Sequence, residues 1–127
     1  MKEMIVVDSS ILIEFFRRKD KSQARFADIK RDYNRIVIST ITEYEIYLGV
    51  NKNDVEFWRE IFSSLIILPV DREIAQTAAL LQRDLKRQRK QLGLGDLLIA
   101  ATATVYGLPV ATLDKDHFTR VPGLDVY

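Results

Sequence analysis

Short apolar runs alternate with stretches of helical periodicity along the whole chain. Runs of aliphatic and β-branched residues at 5–7, 35–39, 65–68 and 108–112 predict buried strands, and residues 125–127 predict a fifth strand at the edge of the sheet. Strands that alternate with helices are typical of a mostly parallel sheet with helices on both faces. The pattern therefore predicts an α/β protein.

The segments between the strands carry the helical pattern. In the longest of them, residues 71–90, the apolar side chains of Ile74, Ala78, Leu81 and Leu85 recur at helical spacing. Residues 97–106 are apolar nearly all round, which indicates a buried helix. The other predicted helices lie at residues 11–18, 21–32, 40–50 and 55–63.

Composition narrows the class of protein. At 127 residues without repeats or linkers, we expect a single domain over residues 1–127. No apolar run approaches the length of a membrane span, and no signal-peptide pattern is present, so we expect a cytoplasmic protein. The chain has no cysteine, which excludes disulfides, zinc–thiolate sites and cysteine nucleophiles. The net charge of +1 does not indicate a class of partner.

The stretch around Asp8 is the first candidate for chemistry. Asp8 follows the first predicted strand, and ligands of open α/β sheets bind at the carboxyl ends of strands. Asp8 could equally cap the following helix, although Ser9 and Ser10 are also good N-cap residues. The position alone leaves both interpretations open.

Further acidic residues follow the other strands and favour a shared site. Glu43 and Glu45 follow the second strand, Asp96 opens the buried helix, and Asp114 and Asp116 follow the fourth strand. Several carboxylates in one pocket repel each other unless a cation lies between them. Oxygen ligands without cysteine favour Mg²⁺ or Mn²⁺. Such ions activate water and stabilise displacement at phosphorus.

Four segments of the chain resemble a known family of nucleases. Residues 7–13, 38–50, 95–103 and 111–118 look like the motifs of the PIN-domain nucleases, in particular the VapC-type toxins of toxin–antitoxin pairs, and they occur in the family's order. The resemblance implies a three-layer α/β/α fold and a Mg²⁺- or Mn²⁺-dependent endoribonuclease that acts on RNA. It also implies a small antitoxin partner and a homodimer.

The resemblance assigns the site residue by residue. The family has an acidic residue four positions before the helix glycine, and counting back from Gly49 or forward from Ser39 both select Glu45. The family often also has an acidic or amide residue two positions after the motif threonine, which is Thr112 in this chain, and this selects Asp114. The implied metal ligands and catalytic residues are Asp8, Glu45, Asp96 and Asp114.

Each of these assignments has a structural alternative. Residues 40–43 and 42–45 both fit a capping box, in which the glutamate bonds back to an N-cap amide. Asp96 would complement the helix dipole from the first helical turn. Asp116 competes with Asp114 for the last position, or caps a short turn. Ser10 and Thr112 resemble hydroxyl residues that bond around such sites, and either could instead cap neighbouring backbone.

Other conspicuous residues are assigned more ordinary roles. His117, the single histidine, is expected to be a partly packed turn residue. The basic run at residues 83–90 either guides RNA or complements the dipole of its helix. Five aromatic residues are expected to pack, and some are candidates for a groove or dimer surface: Tyr44, Tyr47, Phe57, Trp58 and Phe62.

Two other classes of function remain as alternatives. One is a catalytically silent PIN-like module that binds a protein partner or RNA, and the other is a metal-dependent phosphatase or DNA nuclease. A haloacid-dehalogenase-type phosphatase is disfavoured because its motif requires a second aspartate where this chain has Ser10. RNA cleavage with and without EDTA discriminates these classes.

Overall fold

The β-branched runs form one parallel sheet in the computed structural model, which describes residues 2–127. The strands are β1 (Lys2–Val7), β2 (Tyr33–Ser39), β3 (Ile66–Leu68) and β4 (Val110–Ala111), in the order β3-β2-β1-β4. All neighbouring strands are parallel, with Ile5 opposite Ile36 and Val6 opposite Val110. The predicted mostly parallel sheet is confirmed.

Helices connect the strands and cover both faces of the sheet. Their bounds are α1 (Ser9–Arg17), α2 (Arg25–Asp32), α3 (Thr40–Leu48), α4 (Val55–Ser63), α5 (Arg72–Arg87), α6 (Leu94–Tyr106) and α7 (Lys115–Phe118). None of the helices in residues 2–127 is long and apolar enough to cross a membrane.

The sheet separates two apolar layers, as the three-layer α/β/α class requires. Side chains alternate along a strand, so Val6 packs with α5 and α6 while its neighbours Ile5 and Val7 pack on the other face. Phe26 of α2 and Trp58 of α4 belong to that second layer. Both faces of β1 are therefore buried, which accounts for its uninterrupted apolar sequence.

Several predicted boundaries were wrong by a few residues. The predicted helix 21–32 begins with a 3₁₀ turn at Lys21–Gln23, and the helix predicted at 71–90 ends at Arg87. The buried helix begins at Leu94, three residues before the predicted start, so Asp96 lies inside its first turn. The fifth strand is reduced to a single bridge between Val126 and Val110.

Of the predicted helix caps, the one by Asp8 is confirmed, whereas the capping boxes in α3 are wrong. Asp8, rather than Ser9 or Ser10, caps α1, and its carboxylate accepts the N–H of Ile11. Neither proposed capping box forms in α3. Ser39 caps that helix by accepting the N–H of Ile41 at 3.1 Å. The hydroxyl of Thr40 instead accepts the N–H of Val70. The caps follow the strand ends, because the chain turns directly from strand into helix.

Three polar side chains are buried at one end of the sheet. Asp8 directly follows β1, Ser39 ends β2 and Thr112 directly follows β4, and each is at most 2% exposed. Because the strands are parallel, their carboxyl ends meet at this edge. The fold therefore concentrates buried polar groups at one edge of an otherwise apolar sheet.

Thr42 in α3 allows a test of the packing near this edge. Its buried hydroxyl is the one side-chain polar atom within residues 2–127 that is fully buried without a hydrogen-bond partner. Thr42→Val keeps the shape and removes this group, so we expect the free energy of unfolding to rise by about 1 kcal/mol in urea denaturation. Thr102→Val is the matched control, because the hydroxyl of Thr102 donates to the carbonyl oxygen of Leu98 at 2.8 Å. That control should give no gain, and a destabilised Thr42→Val variant would contradict the prediction.

Candidate functional site

Asp8 is held by three donors at the end of β1. The hydroxyl of Ser10 donates to Oδ1 at 2.6 Å, and the hydroxyl of Thr112 donates to Oδ2 at 2.6 Å. The N–H of Ile11 donates to Oδ1 at 3.3 Å. The residue is only 2% exposed, so these bonds replace water around a buried carboxylate. The two interpretations of Asp8 are therefore compatible, since it caps α1 and also presents its carboxylate at the sheet edge.

The same two hydroxyls fix the segment that follows β4. Ser10 Oγ accepts the N–H of Leu113 at 3.0 Å, and Thr112 Oγ1 accepts the N–H of Asp114 at 2.9 Å. Each hydroxyl thus donates to Asp8 and accepts from the segment across the sheet edge. Ser10 and Thr112 combine the two roles that their sequence positions left open.

Glu45 approaches the first turn of α6 closely. A Cβ atom at position 95 would lie 2.5 Å from Glu45 Oε2, so a glycine is needed there for the carboxylate to adopt its position. Asp96 is the next residue in the chain. Glu43 lies two positions before Glu45, about 200° away around α3. The structure therefore brings Glu45 to the neighbourhood of Asp96 and turns Glu43 away from it.

Asp96 has an unpredicted partner in His117. His117 Nδ1 lies 2.7 Å from Asp96 Oδ2, and since an ionised carboxylate only accepts hydrogen bonds, Nδ1 is the donor. The histidine is therefore not simply a packed turn residue. The two side chains are partly exposed, at 46% for His117 and 30% for Asp96. They are 21 positions apart in the sequence, so no local pattern could have indicated the contact.

Three of the predicted acids influence one another electrostatically. Burial raises the pKa of Asp8 above its ordinary value, the hydroxyls of Ser10 and Thr112 lower it in part, and the charge of Asp96 raises it further. Burial and the charge of Asp96 likewise raise the pKa of Glu45. The ion pairs formed within residues 2–127 include neither Asp8 nor Glu45. The negative charges of Asp8 and Glu45 thus lie close to Asp96 without an ion pair of their own.

Asp114 lies at the border of this group rather than within it. It precedes α7 and is exposed, and its side chain forms no capping bond. Asp114 and Asp116 both line an open cavity of about 410 Å³ beside Thr112 and His117. Asp116 does not cap a turn through its side chain, since only its backbone oxygen bonds, to the hydroxyl of Thr119.

The donor chemistry of the site suits a hard cation, although the side chains do not converge on one point. Carboxylate and hydroxyl oxygens are the ligands that Mg²⁺ and Mn²⁺ prefer. Across residues 2–127, no three His, Cys, Asp or Glu side chains are arranged so that they could together hold a metal ion. Coordination would therefore require side-chain rotation. Glu45 is exposed, so its side chain has room for such a rotation.

Comparison with known proteins agrees with this fold. The family model of the PIN domain matches residues 5–124. Ribonuclease VapC from Rickettsia bellii is 32% identical over 130 residues, covering 96% of this chain and 93% of the relative. Ribonuclease VapC10 from Mycobacterium tuberculosis is 34% identical over 116 residues, covering 91% of this chain and 86% of the relative.

Solved structures show the same relationship. DNA-bound VapBC from Salmonella typhimurium matches with a TM-score of 0.86 at 24% identity, covering 100% of this chain and 98% of that one. A toxin–antitoxin complex from Klebsiella pneumoniae matches with a TM-score of 0.78 at 26% identity, covering 97% of this chain and 95% of that one.

The chain belongs to the PIN-domain family, and the three-layer fold expected from the sequence is confirmed. The curated relatives that match it over nearly their full length are VapC ribonucleases. Within the PIN-domain family it therefore belongs with the VapC proteins.

The buried charge of Asp8 should make stability depend on pH. Folding raises the pKa of Asp8, so protonation of its carboxyl group stabilises the folded state. This stabilisation is complete below the pKa of an unfolded aspartate, about 3.9, and is lost as the pH rises through the pKa of Asp8 in the folded protein. Asp8→Asn keeps a capping oxygen and removes the charge. In EDTA, urea denaturation should therefore give a variant close to the wild type near pH 4 and more stable than the wild type at neutral pH.

Asp71→Asn is the matched control for this measurement. Asp71 caps α5 through the same type of bond, to the N–H of Ile74 at 3.0 Å, but it is exposed. The difference in free energy of unfolding between Asp71→Asn and the wild type should not increase toward neutral pH. An Asp8→Asn variant whose relative stability is the same at both pH values would show that the charge is not destabilising.

Proposed function

We propose that this VapC-type PIN-domain protein is a metal-dependent endoribonuclease and the toxin of a toxin–antitoxin pair. The observation that carries the proposal is the set of carboxylates Asp8, Glu45 and Asp96. They come from three separate parts of the chain to one edge of the sheet, and neither Asp8 nor Glu45 has a basic partner, while Asp96 contacts only the imidazole of His117. The curated relatives are named ribonucleases, which supports RNA as the substrate.

The proposed ligands of Mg²⁺ or Mn²⁺ are Asp8, Glu45, Asp96 and Asp114. When bound, such an ion polarises a phosphoryl oxygen and lowers the pKa of water bound to it. Asp8 contributes the most rigid position, because both of its oxygens are already held by hydroxyl donors. Glu45 contributes an exposed carboxylate that lies against Gly95, beside Asp96. Asp114 enters from the segment that Thr112 fixes.

His117 has a positioning role in this proposal. Its Nδ1–H bond to Oδ2 fixes the orientation of the Asp96 carboxylate and leaves Oδ1 for a ligand. The ring also lines the cavity beside Asp114, next to the proposed reaction site. His117 needs no proton transfer to perform this role.

The proposed partner is a small antitoxin. Several structural neighbours are toxin–antitoxin complexes, among them VapBC from Salmonella typhimurium and the complex from Klebsiella pneumoniae. We extend this association to the present chain, and we extend the family's homodimer to it in the same way. Tyr44 and Tyr47 of α3 are exposed and available for such contacts, whereas Trp58 and Phe62 are buried in the core.

Neighbouring glutamates on α3 provide a direct test of the catalytic assignment. Glu45→Gln removes a proposed ligand, so we expect RNA cleavage in Mn²⁺ to fall by about a hundredfold or more, the equivalent of several kcal/mol in the transition state. Glu43→Gln is the matched control, since Glu43 points away from Asp96 on the same helix. Cleavage of a labelled RNA followed on gels, with EDTA as the blank, measures both. Equal losses in the two variants would overturn the choice of Glu45.

Metal binding can be measured through stability rather than activity. At about a hundredfold excess over its dissociation constant, Mn²⁺ should stabilise the wild type by ~2.7 kcal/mol. For a chain of this length, that is a rise of roughly 10 °C in melting temperature. Asp114→Asn should lose much of this rise and Asp116→Asn should keep it. An unchanged wild-type melting temperature would contradict the metal site, and loss of the rise in Asp116→Asn alone would reassign the fourth ligand.

A further inference from the structure

Three surface cavities adjoin one another around the candidate site. The first, of about 210 Å³, includes Glu45, Ile13 and Arg17 in its lining. The second, of about 510 Å³, shares Ile13 and Arg17 with the first and continues to Leu113 and Asp114. The third, of about 410 Å³, shares Leu113 and Asp114 with the second. Because neighbouring cavities share lining residues, the three lie side by side in one depression, with Glu45 in the wall of the first and Asp114 in the walls of the second and third.

Basic side chains lie on both sides of the acids within this depression. Arg17 lines the two cavities on one side of Asp114, and Lys115 lines the cavity on the other side. Both are exposed, and the ion pairs formed within residues 2–127 do not include either of them. Arg25 lines the third cavity too, with its guanidinium carbon 4.3 Å from the centre of the Tyr127 ring. The positive charge is thus placed around the acids rather than against them.

Leu113 forms an apolar ridge in the middle of the depression. It separates the second and third cavities, and it is 49% exposed although it directly follows two buried residues. Its N–H is bonded to Ser10 Oγ, so the backbone beneath the side chain is fixed relative to Asp8. An exposed apolar side chain between two cavities that each contain basic residues offers a surface against which the face of an unpaired base can pack.

We infer that these three cavities form one track for single-stranded RNA, in which Arg17 and Lys115 bind phosphates on opposite sides of Asp114. The inference rests on the proposed ribonuclease function and names the residues that bring the RNA to it. Phosphate contacts position a nucleic acid without reading its sequence. A strand held on both sides of Asp114 would pass Asp114 and Glu45, two of the proposed metal ligands.

The basic end of α5 is a separate surface. Arg83 and Lys86 line a cavity of about 470 Å³ together with Leu94 and Leu98. Leu94 and Leu98 are each two positions from Asp96, so they lie about 200° around α6 from it. An RNA bound at this surface would face the opposite side of α6 from the Asp96 side chain. The guiding role considered for the basic run at 83–90 therefore passes to Arg17 and Lys115.

The experiment measures RNA binding without cleavage. A fluorescein-labelled 12-residue single-stranded RNA of mixed sequence is titrated with protein in EDTA, and its anisotropy is recorded at several salt concentrations. Arg17→Gln and Lys115→Gln should each weaken binding by about two- to fivefold at low salt. Each should also reduce the slope of log affinity against log salt by ~0.7, the value for one lost phosphate contact on a single strand.

Arg83→Gln and Lys86→Gln are the matched controls, because they remove the same charge from an exposed helix outside the track. Both should bind RNA as the wild type does, with an unchanged salt slope. Equal losses in all four variants would show that only net charge matters and would overturn the track. Wild-type affinity in the Arg17 and Lys115 variants would also overturn it, as would a wild type that binds no RNA.

Cleavage in Mn²⁺ separates this inference from the function on which it rests. A wild type that cuts RNA while the Arg17 and Lys115 variants bind normally disproves the track and leaves the nuclease intact. A wild type that binds RNA through Arg17 and Lys115 but does not cut it disproves the nuclease and leaves the track as a binding surface. Melting curves of all four variants, which change only exposed side chains, verify that each is folded.

Discussion

The structure of the site depends on a carboxylate that is buried where the first strand ends. Asp8 is 2% exposed, and its charge is tolerated because Ser10, Thr112 and the amide of Ile11 all donate to it. Removing such donors would leave a buried charge without hydrogen bonds, which costs far more than the bonds contribute when made. The segments that supply these donors are therefore constrained to stay close to Asp8, and the sheet edge keeps its shape.

That constraint is transmitted along the chain through the two hydroxyls. Leu113 and Asp114 are bonded by their amides to Ser10 and Thr112, so the segment after β4 is set by the same atoms that satisfy Asp8. Asp96 is oriented independently, from α7, by His117. The acidic group thus combines one rigid member with others held from different elements, an arrangement that limits how much has to move when a ligand binds.

The sheet and the position of Asp8 could be predicted from local sequence patterns, whereas the helix caps of α3 and the contacts between distant residues could not. The parallel sheet followed from alternating apolar runs, and the position of Asp8 followed from where β1 ends. The capping boxes were wrong because the actual cap is the strand-end Ser39, which puts Thr42 rather than a glutamate at the third position of α3. The contacts of His117 and Gly95 depend on residues far apart in sequence, to which neither periodicity nor spacing is sensitive.

Gly95 allows the position of one charge in this site to be changed without changing the number of charges. The Glu45 carboxylate occupies the space that a side chain at position 95 would need, with only 2.5 Å between Oε2 and such a Cβ. A single methyl group introduced there would displace the Glu45 carboxylate relative to its neighbour Asp96 without removing any ionisable group from the protein. The absence of a side chain at position 95 thus lets Glu45 lie close to Asp96. The size of the residue at this position therefore sets how strongly the two carboxylates repel each other.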